Sequence, residues 1–302
     1  MLDERLVLRF DAATHEAEVF INGKSVTKHK GGYVPFEVVI NDVIQAGTNR
    51  LTVKLSNMLD YSSLPVGNYS ETKDDDGKLV RKLSENFDFF NYAGLNRYVR
   101  IYTTPHTFIK DLVVTYDVDL HAPSAKVKVK TAYEGDVDAI RVSILDEANT
   151  VVGEGQGTEA LIDLAEIRLW EPLNAYLYKA RVELLREDEV IDIYEERFGI
   201  RTVEVKDAKF LINGRPFYFK GFGKHEDTAI NGRGINEAYN VADINLMRWM
   251  GANSFRTSHY PYSEEMMRLC DRQGIVVIDE VPAVGQFEGF SVDSASGMEA
   301  KS

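Results

Sequence analysis

Cysteine occurs once in the 302 residues, as Cys270. A single thiol excludes an internal disulfide and any cysteine-rich metal site, and it is the usage expected of a reducing compartment. Long apolar runs are missing as well. The longest, Gly274-Ile275-Val276-Val277-Ile278, stops at Asp279, far short of the roughly 18 to 20 residues needed to span a bilayer. The start, Met1-Leu2-Asp3-Glu4-Arg5, is charged and lacks the apolar stretch of an export signal, so the expected location is cytoplasmic. Positive charge is in deficit, 35 Lys and Arg against 48 Asp and Glu, for a net charge of −13. That sign repels phosphate backbones and anionic lipid surfaces, which argues against nucleic acid and membrane as partners. There is no Gly-rich phosphate loop and no Ser/His/Asp order of an esterase. Nor is there a helical His-x-x-x-His pair or a third ligand to complete a zinc site around His225-Glu226-Asp227 and His259. No cofactor and no metal is expected.

What is present suits a folded chain of two or three domains at about 150 residues each. Hydrophobic residues make up 44% and aromatics 11%, enough to build real cores. From Arg5 to about Thr104 short alternating segments are separated by turns: Arg5 to Phe10, Ala17 to Ile21 ahead of Asn22-Gly23, and Arg50 to Leu55. Asn-Gly between two strands is a strong hairpin signal, because both turn positions need positive φ, and the region reads as an all-β sandwich. Between Asn57 and Asn86 the alternation breaks, and Asp74-Asp75-Asp76-Gly77 reads as a solvated loop without the carboxylate spacing of a calcium site.

A second β series follows Pro105: Ile109 to Asp117, Lys126 to Thr131, Ala139 to Leu145, Tyr178 to Leu185 and Val190 to Phe198. Lys126-Val127-Lys128-Val129-Lys130 puts valines on one face and lysines on the other, as a half-buried antiparallel sheet requires. About 95 residues with seven or so strands suggest an immunoglobulin-like sandwich. The texture then changes. Phe217 to Gly221 reads as a strand, Asn236 to Met250 as a helix, Ser254 to Thr257 as a strand, Ser263 to Arg272 as a helix and Ile275 to Asp279 as a strand. That rhythm belongs to a parallel α/β sheet. Trp249, with Leu246 and Met250, is expected on the inner stripe of the first helix, and Cys270 beside Leu269 is expected to be packed. Gly285 to Ser302 offers no further element.

Polar groups gather after the strand ends. Arg256 could act as a fork for hydroxyls or carboxylates, or pair internally with a carboxylate; His259 could contact a ligand or be a satisfied interior histidine. Asp279 and Glu280 are neighbours on a strand and point to opposite faces, so they cannot flank one bond as a catalytic pair. Glu280 reads as a supporting residue.

Asn253 through Glu280 resembles the signature of glycoside hydrolase family 2. Phe87-Asp88-Phe89-Phe90-Asn91-Tyr92-Ala93-Gly94-Leu95-Asn96-Arg97, Phe198-Gly199-Ile200-Arg201 and Phe217 to Asp227 agree with it. Within the family the resemblance is greater to β-glucuronidases than to β-galactosidases or β-mannosidases. It implies a jelly-roll sugar-binding domain (1–105), an immunoglobulin-like sandwich (106–202) and the first part of a (β/α)8 barrel (203–302). The implied reaction is hydrolysis of β-D-glucuronides with retention, by a parent enzyme that is a homo-oligomer. A non-catalytic carbohydrate-binding module is the rival expectation.

The same resemblance implies that Asp88, His225, Arg256 and His259 contact the sugar, with Phe89, Phe90 and Tyr92 holding Asp88 in place. Retaining hydrolysis needs an acid/base carboxyl and a nucleophilic carboxyl about 5 to 5.5 Å apart. In the family these glutamates come late in the barrel, which places both beyond Ser302 and leaves no catalytic residue to assign here. The clamp for the uronate carboxylate is expected there too, as are additional strands ahead of Leu6.

Overall fold

The computed structural model describes residues 3–284. Eight strands form the first region: β1 (Arg5–Phe10), β2 (Glu16–Ile21), β3 (Lys24–Lys30), β4 (Phe36–Val39), β5 (Leu51–Ser56), β6 (Gly67–Lys73), β7 (Leu79–Glu85) and β8 (Val99–Thr104). Two antiparallel sheets, ordered β4-β1-β8 and β3-β2-β5, carry the core between them. Leu6, Leu8 and Phe10 from β1 meet Val19 and Ile21 from β2 there. The expected turn joins β2 to β3, with Asn22 and Gly23 at φ 50° and 81°. Between Asn57 and Asn86 the structure departs from expectation: β6 and β7 pair as a hairpin whose turn is Asp74 to Lys78. Its sequence shows no apolar alternation because the hairpin is mostly exposed on both faces. The backbone ladder, and not burial, defines it.

The second region holds β9 (Phe108–Asp119), β10 (Ser124–Glu134), β11 (Ala139–Leu145), β12 (Val151–Gln156), β13 (Glu159–Leu164), β14 (Tyr178–Arg186) and β15 (Glu189–Phe198). They form sheets β13-β10-β9 and β12-β11-β14-β15. Between them pack Val127, Val129, Ile162, Val142, Ile144, Val182 and Leu184. Each such side chain contributes about 1.5 to 3 kcal/mol as an upper estimate. The expected alternation holds along β10, where Val127 and Val129 are buried while Lys126 and Lys130 reach solvent.

The third region begins with a small antiparallel sheet of β16 (Val203–Lys206), β17 (Lys209–Ile212) and β18 (Arg215–Pro216). Then come β19 (Gly221–Lys224), α1 (Glu237–Trp249), β20 (Ser254–Thr257), α2 (Glu264–Gln273) and β21 (Val276–Ile278), with the strands parallel in the order β19-β20-β21. The strand expected at Phe217 to Gly221 lies further along. Phe217 to Lys220 approach as irregular chain, tied by Phe217 N to Phe210 O and by Lys220 N to Asn253 Oδ1, and pairing starts at Gly221 against Ser254. Asn236 caps α1 and Ser263 caps α2, each accepting from a first-turn amide.

Trp249 corrects the sequence expectation. It is 83% exposed, with Leu246 and Met250 also exposed, while Ile244 and Met247 face the sheet. Leu246, Trp249 and Met250 share one stripe by their spacing, but the sheet lies under a different one, because position 247 falls about 100° around the helix from 246. Cys270 is buried as expected, and burial pushes its thiol up to about 12.

The regions are tied together by specific contacts. Trp170 Nε1 donates to Asp271 O at 2.8 Å, joining the middle sandwich to α2. Arg9 and Arg100 on the first sheet pair with Glu264 and Glu265 in the first turn of α2.

Candidate functional site

Three strand ends set the site's floor. The register aligns Lys224 with Thr257 and Arg256 with Ile278, so the residues that follow each strand emerge side by side. His225 follows β19, His259 follows β20 and Glu280 follows β21. The His225 and His259 rings lie 5.6 Å apart, edge to face. Arg256 Nε donates to Glu280 Oε1. His259 Nδ1 is 3.2 Å from Glu280 Oε2 and 3.3 Å from Arg256 Nη2. A protonated Nδ1 donates to the carboxylate, and an unprotonated one accepts from the guanidinium.

The electrostatics assign roles. Glu280 is held below the usual carboxylate range, chiefly by the Arg256 hydrogen bond, so it serves as an anionic acceptor and not as an acid. Asp279 accepts from Thr257 Oγ1 at 2.9 Å, whereas Thr257 Oγ1 itself accepts from Glu280 N at 2.8 Å. One threonine hydroxyl therefore fixes both carboxylate residues. His225 is exposed and its pKa is lowered, first by desolvation, with Asp227 and Asp88 pulling the other way.

The site's roof comes from another region. Residues 86–95 run as an arm between β7 and β8, and Phe89 in this arm lies 6.0 Å from both His225 and His259 and 5.6 Å from Tyr260. Phe87 stacks on Phe89 at 4.2 Å. Asp88 between them is exposed, and its charge is felt at His225. The structure thus brings His225, Arg256 and His259 to one mouth, two of them through a shared carboxylate, and carries Asp88 on the arm next to Phe89. Of the aromatics expected to hold Asp88, Phe89 packs inward, Tyr92 reaches the loop at Gly232 between β19 and α1, and Phe90 is 72% exposed.

Polar residues to which sequence reasoning gave no such role hold roof to floor. Arg97 Nη1 donates to Tyr33 O at 3.0 Å, and its Nη2 reaches Pro261 O at 2.5 Å and Glu226 Oε2 at 3.4 Å. Glu226 also accepts from Ser263 N at 3.3 Å, and burial raises its pKa against the pull of Arg97. Tyr33 stacks on Tyr260 at 4.5 Å, and both are almost fully buried. Arg97 and Glu226 lay inside the motifs quoted above, yet nothing in their spacing shows that residues 129 positions apart will meet. Among the described residues, no group of three or more His, Cys, Asp or Glu side chains is gathered for a metal ion. No helix of the described residues is long and apolar enough to cross a membrane.

Comparison with known proteins places this arrangement. Residues 1–105 match the sugar binding domain of glycosyl hydrolases family 2, residues 107–201 a model described as glycosyl hydrolases family 2, and residues 203–298 the family's TIM barrel domain. A β-glucuronidase of Streptococcus agalactiae is 50% identical over 290 residues, covering 96% of this chain and 48% of the relative. The human β-glucuronidase is 44% identical over 299 residues, covering 94% and 46%. Among solved structures, Bifidobacterium dentium β-glucuronidase complexed with coumarin-3-O-glucuronide superposes with a TM-score of 0.88 at 45% identity, over 94% of this chain and 50% of that one. The Ruminococcus gnavus β-glucuronidase in complex with D-glucuronic acid superposes with a TM-score of 0.87 at 40% identity, over 94% and 48%. The chain spans about half the length of the curated relatives it matches.

Proposed function

Because this chain belongs to glycosyl hydrolases family 2, we propose that it forms the sugar-contacting part of a β-glucuronidase, which releases β-D-glucuronic acid from β-glucuronides with retention. In this reading residues 1–105 are a jelly roll, 106–202 an immunoglobulin-like sandwich and 203–302 the opening of a (β/α)8 barrel. The barrel architecture puts ligand contacts at the carboxyl ends of its strands, where His225, Arg256 and His259 stand. The reading also keeps the protein cytoplasmic and its assembly homo-oligomeric.

The observation that carries it is the arm from a separate region, which lays Phe89 against His225 and His259 and carries Asp88 beside that ring. Asp88 supplies carboxylate oxygens for two sugar hydroxyls, His225 and His259 supply ring nitrogens, and Arg256 supplies a fork already charged and oriented by Glu280. Phe89 packs beside both histidine rings at the mouth. The bond-breaking carboxyl pair belongs, in this reading, to the half of the relatives that the chain does not span.

The test is cleavage of aryl β-D-glucuronide, β-D-galactoside and β-D-mannoside by the protein expressed from the whole of its own reading frame. The glucuronide is expected to be favoured by at least about 100-fold in kcat/KM, as for a site whose polar groups are left unpaired by the wrong sugar. A preference for a neutral sugar would overturn the reading.

A further inference from the structure

We propose that Arg233 is a positioning residue that sets the arm carrying Asp88 against the strand ends; its role in sugar binding rests on the reading above, its role in holding the arm does not. Arg233 lies on the loop between β19 and α1, and its side chain is only 2% exposed. Its guanidinium spends its donors in three directions. Nη2 donates to Phe90 O at 3.0 Å, on the arm itself, Nη1 to Tyr33 Oη at 2.7 Å, and Nε to Asp227 Oδ1 at 3.2 Å.

Four rings enclose the same group: Tyr260 at 4.5 Å, Phe89 at 5.1 Å, Tyr92 at 5.4 Å and Tyr33 at 5.7 Å. Two of those rings, Phe89 and Tyr92, belong to the arm, and they bracket Phe90, whose carbonyl is bonded. Asp88 is therefore two residues from a fixed carbonyl and next to a fixed ring. A planar fork satisfies three acceptors at set angles, which a flexible point charge cannot. The neighbouring Gly232 allows the approach, since a Cβ there would sit 2.9 Å from Tyr92 Cε1.

The jelly-roll side supplies an opposing hold. His15 Nε2 donates to Asn91 Oδ1 at 2.8 Å, and Asn91 and Asn57 exchange side-chain to carbonyl bonds at 3.0 and 3.1 Å. Those contacts fasten the arm to its own region. Arg233 hydrogen-bonds the arm backbone from the floor side, where Phe89 adds only ring contacts, and it reaches Asp88 only through that backbone.

The test combines a double-mutant cycle with hydrogen exchange on the protein expressed from the whole of its reading frame. Asp88→Asn is expected to lower kcat/KM for an aryl β-D-glucuronide by about 100-fold in the parent background but by less than about 3-fold in Arg233→Gln, because coupled residues are not additive. Exchange of the 86–95 amides is expected to quicken about tenfold or more in Arg233→Gln while 106–202 stays unchanged, the pattern of a local opening. A full Asp88→Asn loss persisting in Arg233→Gln, or an arm whose exchange does not change, overturns the proposal. If the parent turns over no glucuronide, the functional reading falls, and the exchange of the arm still decides the role of Arg233. Where Arg233→Gln does not fold, Arg233→Lys carries the same cycle with the same two outcomes, since it keeps the charge among the rings but not the fork.

Discussion

In the middle sandwich burial is apolar: Val127, Val129, Val142, Ile144, Val182 and Leu184 meet between two sheets, and each is at most barely exposed. At the seam between the first β region and the parallel strands, the buried groups are Arg97, Arg233, Tyr33 and Tyr260, with the partly buried Glu226 paired to Arg97. The first kind of burial is indifferent to direction and stabilises by area. The second holds charges in place only while every partner is present, because a buried ion without its counterion is costly. The middle sandwich is a spacer that tolerates change; the seam is a fixture that defines where Asp88 stands.

The largest expected effect breaks the seam. Arg97→Met leaves Glu226 with the Ser263 amide but without its cation, and takes the Arg97 donors from Tyr33 O and Pro261 O, so stability should fall by about 4 kcal/mol in urea unfolding. A loss below about 1 kcal/mol would show that the seam is not the strained partner in the comparison.

Next comes pH. His15 is buried with its Nδ1 unpartnered among the described residues, and desolvation brings its pKa from 6.5 to about 4. The unfolded histidine binds its proton first as pH falls, so stability is full above about 6.5 and is lost between 6.5 and 4. The loss attributable to His15 is about 3 kcal/mol, and a His15→Gln variant should remove that slope. Burial raises the Glu226 carboxyl, which works in the opposite direction, so the difference between parent and variant is the quantity to measure. Equal slopes in the two proteins would refute the assignment.

The smallest effect tests the sandwich. Ile162→Val, at a residue 3% exposed, should cost about 1 kcal/mol in the same assay without changing exchange at residues 86–95. A change that reached the arm would mean the two regions are not independent.

The two kinds of burial also explain what could be read from the chain. The local pattern exposed β1, β11 and β14 almost to their ends and the middle of β10, where period-two burial is written in adjacent residues. Both helix starts were legible from Asn236 and Ser263. The β6–β7 hairpin was not, since its strands are held by backbone bonds over polar side chains. Trp249 misled because apolar residues at helical spacing show a stripe without saying which stripe the sheet covers. At the site, the family resemblance pointed to Asp88, His225, Arg256 and His259; the structure gathers the last three and puts Asp88 on the arm next to Phe89. Glu280 joining Arg256 to His259 was only partly legible, and Arg233 among four rings was not legible at all, since its partners lie on three distant segments.

Those distances along the chain have a consequence in time. Tyr33 and Arg233 are 200 positions apart, and domains form in order as a polypeptide leaves the ribosome. At about 5 to 20 residues per second, the first β region, whose last strand ends at Thr104, waits roughly 6 to 26 s for the guanidinium that will fill the gap between its rings. During that interval Tyr33, Phe89 and Tyr92 lack their shared cation, and Arg97 lacks its carboxylate. The mouth is therefore the last part of these residues to take shape, and a nascent chain stalled before Arg233 would present an aromatic cluster to whatever binds such surfaces in the cell.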